Sequence, residues 1–284
     1  MLRHLFIFMI MAVVVSQATS QRFGIRAGLN YTKFDGPTEA GVNEKFSLAN
    51  GFHFGVNYAY KFADKFSVKG ELLYTQIGTK YAYEGQSYYK VPLGSAFIAK
   101  KGATNITMKV SNAYISIPVT VQWEVSKKLE LFAGAYASFL IGPKGTGTME
   151  FVHSKDSLFF QQGLIHNYYR DEARGFSNQF GPSVWVDGKV TRLAKDAGAY
   201  YNLTEGEKIG NLYRVFDFGL TGGANYFINK GFYFGLRYDI GLRDVTNDDV
   251  DFLRNSYDEV NNLGVKAKHF DTNVGIQASF GFRF

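Results

Sequence analysis

The sequence predicts an all-β fold: an eight-stranded antiparallel up-and-down transmembrane β-barrel with long extracellular loops. Three observations predict it. The chain begins with a secretory pattern, eight segments alternate apolar and polar residues with a period of two, and tight turns alternate with long connections. Each is a direct consequence of what a strand in a bilayer must do, with lipid on one face and a crowded lumen on the other.

The N-terminus comes first. Met1-Leu2-Arg3-His4 is a short basic start, Leu5 to Val15 is an apolar run of eleven residues, and Ala18-Thr19-Ser20 supplies small residues for a signal peptidase. This reads as a signal peptide over residues 1–20, leaving a mature barrel domain over 21–284. The run is too short for a spanning helix, which needs about 20 residues, and no later stretch approaches that length. The Gram-negative outer membrane, with both termini periplasmic, is the expected location. Cysteine is absent (Cys 0), which removes disulfides and a lipid-modified N-terminal cysteine. The net charge of +6 is diffuse, with no run of Lys or Arg, so nucleic-acid binding has no footprint.

The eight segments follow in order. Phe23, Ile25, Ala27, Leu29 and Tyr31 oppose Arg22, Gly24, Arg26, Gly28 and Asn30. Phe52, Phe54, Val56, Tyr58 and Tyr60 oppose His53, Gly55, Asn57 and Lys61. Phe66, Val68, Leu72 and Tyr74 oppose Lys69, Glu71 and Thr75. The fourth is the clearest, with Ile115, Ile117, Val119, Val121 and Trp123 against Ser116, Thr120, Gln122 and Glu124. The fifth, near Leu129 to Leu140, is less sharply divided and puts Glu130, Gly134 and Ser138 on its polar face. The sixth sets Phe216, Phe218 and Leu220 against Asp217, Gly219 and Thr221. The seventh sets Phe234, Leu236 and Tyr238 against Gly235, Arg237 and Asp239, and the last sets Ile276, Phe280, Phe282 and Phe284 against Gln277, Ser279 and Arg283. A soluble barrel or sandwich would bury the bulkier face. Here that face is so aromatic, and so long on every strand, that lipid is its natural neighbour, while the small and charged face suits a narrow lumen.

The connections agree. Tight turns are expected at Phe62-Ala63-Asp64-Lys65, Ser126-Lys127-Lys128 and Asn229-Lys230-Gly231. The remaining connections, about Asp35 to Asn50, Thr79 to Val110, Pro143 to Tyr213 and Asp244 to His269, read as long extracellular loops. The loop of about 70 residues from Pro143 is far beyond ordinary connections and is too aromatic to be disordered throughout. It reads as a folded outer cap between strands five and six. Within it Val184-Trp185-Val186-Asp187-Gly188-Lys189-Val190-Thr191 has the form of a hairpin with an Asp-Gly turn.

Gly70-Glu71-Leu72-Leu73-Tyr74-Thr75-Gln76-Ile77-Gly78, Tyr114-Ile115-Ser116-Ile117-Pro118, Gly219-Leu220-Thr221-Gly222-Gly223-Ala224-Asn225-Tyr226 and Leu236-Arg237-Tyr238 together resemble the PorT-like family of outer-membrane β-barrel proteins. The resemblance implies an eight-stranded barrel, little fixed chemistry, and a connection to secretion through the family's founding member. It covers the strands and not the long loops.

The charged residues expected in the lumen are Arg26, His53, Lys69, Glu71, Glu130, Asp217, Arg237, Asp239 and Arg283. Buried charges must be paired, so these are expected to form a network that plugs the barrel. His269 beside Asp271 at the outer end of the last strand is the better-placed acid–base pair, ahead of His153 with Ser154 and Asp156. Neither forms a recognisable catalytic set. Asp244, Asn247, Asp248, Asp249 and Asp251 are oxygen-rich but lack EF-hand spacing, so no metal or other cofactor is expected. The aromatics Phe159, Phe160, Tyr168, Tyr169 and Trp185 form the expected loop binding surface. The function that follows is binding or scaffolding at the outer membrane, with lipid and envelope or secretion proteins as partners. A narrow pore and a rim enzyme acting on lipid or peptide are the alternatives.

Overall fold

The computed structural model describes residues 21–93, 96–155, 158–173, 179–204, 210–261 and 263–284. The expected signal peptide lies outside the described residues, as does Asp156. The strands are β1 (Gln21–Asp35), β2 (Asn43–Ala63), β3 (Phe66–Leu93), β4 (Ala96–Glu124), β5 (Leu129–His153), β6 (Leu158–Asn167) and β7 (Phe180–Val186). They continue with β8 (Lys189–Ala194), β9 (Asp196–Ala197), β10 (Phe216–Phe227), β11 (Phe232–Gly241), β12 (Phe252–Asp258), β13 (Leu263–Lys266) and β14 (Thr272–Arg283).

Eight of these form a ring in the order β10-β11-β14-β1-β2-β3-β4-β5. Pairing of β5 with β10, from Phe216↔Phe139 to Tyr226↔Leu129, closes it, and all its neighbours are antiparallel. The expected up-and-down barrel is therefore present, with no free edge around the ring. The first and last strands meet from Gly24↔Arg283 to Asp35↔Thr272.

Two of the three tight turns are built by their own side chains. Ser126 Oγ accepts hydrogen bonds from the amides of Lys128 (3.2 Å) and Leu129 (3.1 Å). Asn229 Oδ1 does the same for Gly231 (2.9 Å) and Phe232 (2.7 Å). Short polar side chains that bond the backbone two or three residues on are what reverse a chain within so few residues.

Around the ring the bulky residues of the alternation point outward. Leu29, Phe54, Val56, Leu72, Val119, Val121, Leu220, Leu236 and Phe280 are all exposed, and Arg26, His53, Glu71, Asp217 and Arg237 are buried inside. This outward apolar belt is the bilayer-facing surface of a barrel.

The other end departs from the expected loops. Strands β3 and β4 run for 28 and 29 residues and β5 for 25. A strand of that length spans roughly 90 Å, and even tilted by about 45° it rises about twice the ~30 Å of hydrocarbon. Thr79 to Leu93 and Ala96 to Val110 are thus antiparallel sheet, paired from Thr79↔Val110 to Leu93↔Ala96, rather than loop. Half of the Asp35 to Asn50 stretch also joins β2, which begins at Asn43. The cap is broader than residues 143–213, because β3 and β4 supply much of it.

The strands keep their inward parity as they leave the ring but change what they carry. On β4 the inward residues pass from Ser116, Thr120 and Gln122 to Ile106, Met108 and Val110. On β3 they pass from Lys69 and Glu71 to Tyr81, Tyr83 and Tyr89. β6 extends this sheet, β9 pairs parallel to β6, and β7 and β8 form a separate hairpin. Asp187 (φ 50°) and Gly188 (φ 75°) are both left-handed, as a type I′ Asp-Gly turn demands, so that hairpin stands as expected. The cap has its own core, centred on Tyr89, Phe151 and Phe160, whose ring centroids lie 4.8 to 5.6 Å apart.

Candidate functional site

Two polar arrangements follow one another along the barrel axis. The first is the lumenal network, and it gathers every charged residue expected there. Glu71 sits at its centre and pairs with Arg237 (2.6 Å), Lys69 (3.1 Å) and Arg26 (3.2 Å). Arg26 also donates to Ser279 Oγ at 2.7 Å and meets His53 Nε2 at 3.4 Å, while His53 Nδ1 lies 2.7 Å from Asn30 Oδ1. Towards the tight turns, Glu130 binds Arg283 (3.2 Å) and Asn225 (2.8 Å). Towards the cap, Asp239 accepts from Gln277 (2.7 Å) and Asp217 from Asn273 (3.0 Å).

The sequence reading missed how much aromatic bulk shares that lumen. Phe132 and Tyr136 lie inside, on the same parity as Glu130, Gly134 and Ser138. Lys69 and Arg237 lie 5.2 and 5.4 Å from the centroid of the Phe132 ring. The glycines opposite make room. A Cβ on Gly219 would lie 2.8 Å from Tyr136, and one on Gly223 would lie 2.7 Å from Phe132. A cavity of about 30 Å³ beside Arg237 and Asp239 is small for anything beyond water.

The second arrangement lies at the cap end of the ring. A cavity of about 130 Å³, partly open to solvent, is walled by Phe34, Phe46, Tyr81, Tyr168, Tyr213 and Phe252. Its polar lining is Glu39, Glu44, His166, Asp251, Arg254, His269 and Asp271. β12 forms one wall and is held there by its backbone. Glu39 accepts from the amides of Arg254 (2.7 Å) and Asn255 (3.1 Å), and Glu44 accepts from Tyr81 Oη (2.9 Å) and the Glu39 amide (2.7 Å). Arg254 donates to Tyr81 Oη (3.1 Å) and Tyr201 Oη (3.4 Å), with its guanidinium over the Tyr81 and Tyr83 rings.

Three groups in this cavity have capacity left over. His166 is 5% exposed; its Nδ1 lies 3.1 Å from Tyr168 Oη, and its Nε2 has no hydrogen-bond partner among the described residues. Asp271 Oδ1 is likewise buried and unpartnered. The Asp251 carboxyl is half-buried and makes no ion pair or side-chain hydrogen bond among the described residues, and burial, then the Asp271 charge, pushes it up to about 7. Burial and the Asp244 charge push Asp271 up to about 6, while burial and Arg254 hold His166 down at about 3.

His269 and Asp271 both line this cavity. His153 instead bonds the Lys101 carbonyl, far along the cap. The acidic stretch disperses: Asp244 and Asp248 turn to Arg214, Asp249 to Lys266, and Asp251 into the cavity.

The expected loop surface needs correction. Phe160 (2% exposed) and Tyr168 (1%) are core residues of the cap, and Tyr169 is half-buried with its hydroxyl on the Leu140 carbonyl. The cap needs a hydrophobic interior, and these rings fill it. Phe159 (65%) and Trp185 (59%) are exposed on its outside.

No curated protein matches the chain. Among solved structures, Ail, the attachment invasion locus protein of Yersinia pestis, is 10% identical with a TM-score of 0.36, over 94% of this chain and 100% of that one. Neisserial surface protein A is 10% identical with a TM-score of 0.31, over 92% and 97%. The outer membrane protease OmpT from Escherichia coli is 8% identical with a TM-score of 0.32, over 94% and 97%. A family model described as outer membrane protein beta-barrel domain matches residues 15–247. With most of its length matched, and eight antiparallel strands closed into a ring, the chain belongs to the outer membrane protein beta-barrel domain family.

Proposed function

We propose that this protein works by binding at its cap, held outside the cell with both termini in the periplasm. The single observation that carries this reading is an ordered cavity, walled by aromatic rings, standing over a lumen filled by paired charges. Short turns at one end and long structured strands at the other are the usual arrangement of periplasmic and extracellular sides. The PorT-like resemblance carried by Gly70 to Gly78 and Gly219 to Tyr226 supports an envelope or secretion complex as the setting.

The narrow-pore alternative receives less support. Glu71 with three cations, and Phe132 beneath two of them, fill the middle of the lumen. Native mass spectrometry of the barrel, extracted gently from its own outer membrane, tests the proposal. A retained small-molecule adduct or protein partner is the expected result, and a bare monomer from every preparation contradicts it. Planar-bilayer recording of the same sample separates the alternative, because discrete conductance steps would establish a pore.

A further inference from the structure

We infer that the cavity beneath β12 is a site for a small organic cation, an alkylammonium group that pairs with Asp251 and lies against the surrounding rings. This rests on the proposed binding role and names the ligand class.

Charge is the first argument. The lining carries four carboxylates, Glu39, Glu44, Asp251 and Asp271, against one guanidinium, Arg254. Those five groups are not equally engaged. Glu39 is taken up by two backbone amides of β12, and Glu44 by Tyr81 and the Glu39 amide. Arg254 is pinned between the hydroxyls of Tyr81 and Tyr201. Its fixed position leaves it as the internal partner of the cap's tyrosines, and leaves the Asp251 carboxylate to a visitor. A half-buried carboxylate without a partner is costly, and a cation that meets it offsets that cost.

The walls give the second argument. Phe34 and Phe46 (6.2 Å between centroids), Phe34 and Tyr213 (5.7 Å), and Phe46 and Tyr81 (5.4 Å) form a run of ring faces around the space. Aromatic faces attract cations by their quadrupole, most strongly where water is excluded. The third argument is the spare acceptor capacity. His166 is held neutral, and in the tautomer that donates Nδ1–H to Tyr168 Oη its buried Nε2 is free to accept an ammonium N–H. Asp271 Oδ1 offers another acceptor. Size sets the limit. A dry cavity of about 150 Å³ holds benzene, so the cavity of about 130 Å³ here fits a group of about five or six heavy atoms.

Ligand-detected NMR titration of the intact barrel in detergent tests this with three probes of one shape: isobutylammonium, isobutanol and isobutyrate. The ammonium is expected to bind at least about tenfold more tightly than the alcohol, from one charge-assisted hydrogen bond in a buried site. Asp251→Asn, nearly isosteric, is expected to remove that preference, so that ammonium and alcohol then bind alike. The preference is also expected to grow from pH 5 to pH 8 as Asp251 ionises, against the background of Asp271, Arg254, Glu44, Glu39, His166 and His269 that face it. Equal binding of alcohol and ammonium, or tighter binding of isobutyrate, overturns the cation site and leaves the proposed binding role standing. Binding of none of the three also overturns it, and the adduct measurement then decides the broader role. If Asp251→Asn fails to fold, the probe ranking and the pH dependence of the unaltered protein carry the test.

Discussion

The barrel and the cap are made of the same strands, yet their two faces are exchanged. On β4, the outward residues Ile117, Val119 and Val121 belong to the apolar belt, and further along the same face the outward residues are Asn105, Thr107 and Lys109. The inward face changes in the opposite sense, from Thr120 and Gln122 to Ile106 and Met108. One backbone alternation therefore serves two solvents. In the bilayer, apolar groups face out because lipid is there, and charges are confined to a lumen where they must pair. In water the ordinary rule returns and the apolar groups go inside. The cavity lies where the two regimes meet, which explains its mixture of rings and charges.

The comparison can be broken first at its most charged point. Glu71→Gln leaves Arg26, Lys69 and Arg237 around a neutral amide, and removing one partner of a buried network costs about 3–5 kcal/mol. The barrel's urea midpoint in detergent is expected to fall accordingly. A similar cost of about 3–5 kcal/mol is expected for Phe151→Ala in the cap core, by cavity formation. Its reach differs, however: limited proteolysis should open residues of β5 to β9 while the eight-stranded ring keeps its heat-resistant gel mobility.

A matched pair on one strand comes next. Val119→Arg places a charge on the belt and is expected to cost about 2–4 kcal/mol, whereas Thr107→Arg, on the same face in the cap, should stay within about 0.5 kcal/mol. Refolding into vesicles, followed by denaturant titration, measures both. Gly188→Ala, at a left-handed turn position, should loosen only the β7–β8 hairpin by about 1 kcal/mol.

The gentlest test uses pH. Asp251 and Asp271 hold their protons more tightly in the folded cap than in an unfolded chain, because burial raises both, to about 7 and about 6. Their contribution to stability is therefore present at low pH and lost as pH rises through those values. Amides of β12 and β13 are expected to exchange faster at pH 8 than at pH 5 once the intrinsic rate is corrected.

Much of this was legible beforehand. The eight ring strands, the three turns, the Asp-Gly hairpin and the charged residues of the lumen all follow from alternation, turn chemistry and the need to pair buried charge, though not which charge meets which. The extended strands were not. Between Thr79 and Val110 the alternation of Tyr81 and Tyr83 with Lys80, Ala82 and Glu84 is present, but it has the look of an ordinary surface strand, and a search for belt-like faces passes over it. Phe160 and Tyr168 lie inside although the sequence places them on the surface, because nothing local separates a ring in the core of the cap from one on its outside. Phe132 and Tyr136 share the parity of Glu130 and Ser138, a signal for an aromatic plug that bulk alone obscured. Arg254 carries no local motif. Its role exists only once β12 is laid across the mouth of the barrel.

The exchange of faces is tested most directly by placing single spin labels at the outward positions 105, 107, 109, 117, 119 and 121 of β4, with the protein in lipid vesicles. Collision with oxygen, enriched in lipid, is expected to dominate at 117, 119 and 121. Collision with a water-soluble nickel complex is expected to dominate at 105, 107 and 109. A single lipid-like or water-like profile along all six positions would contradict the account.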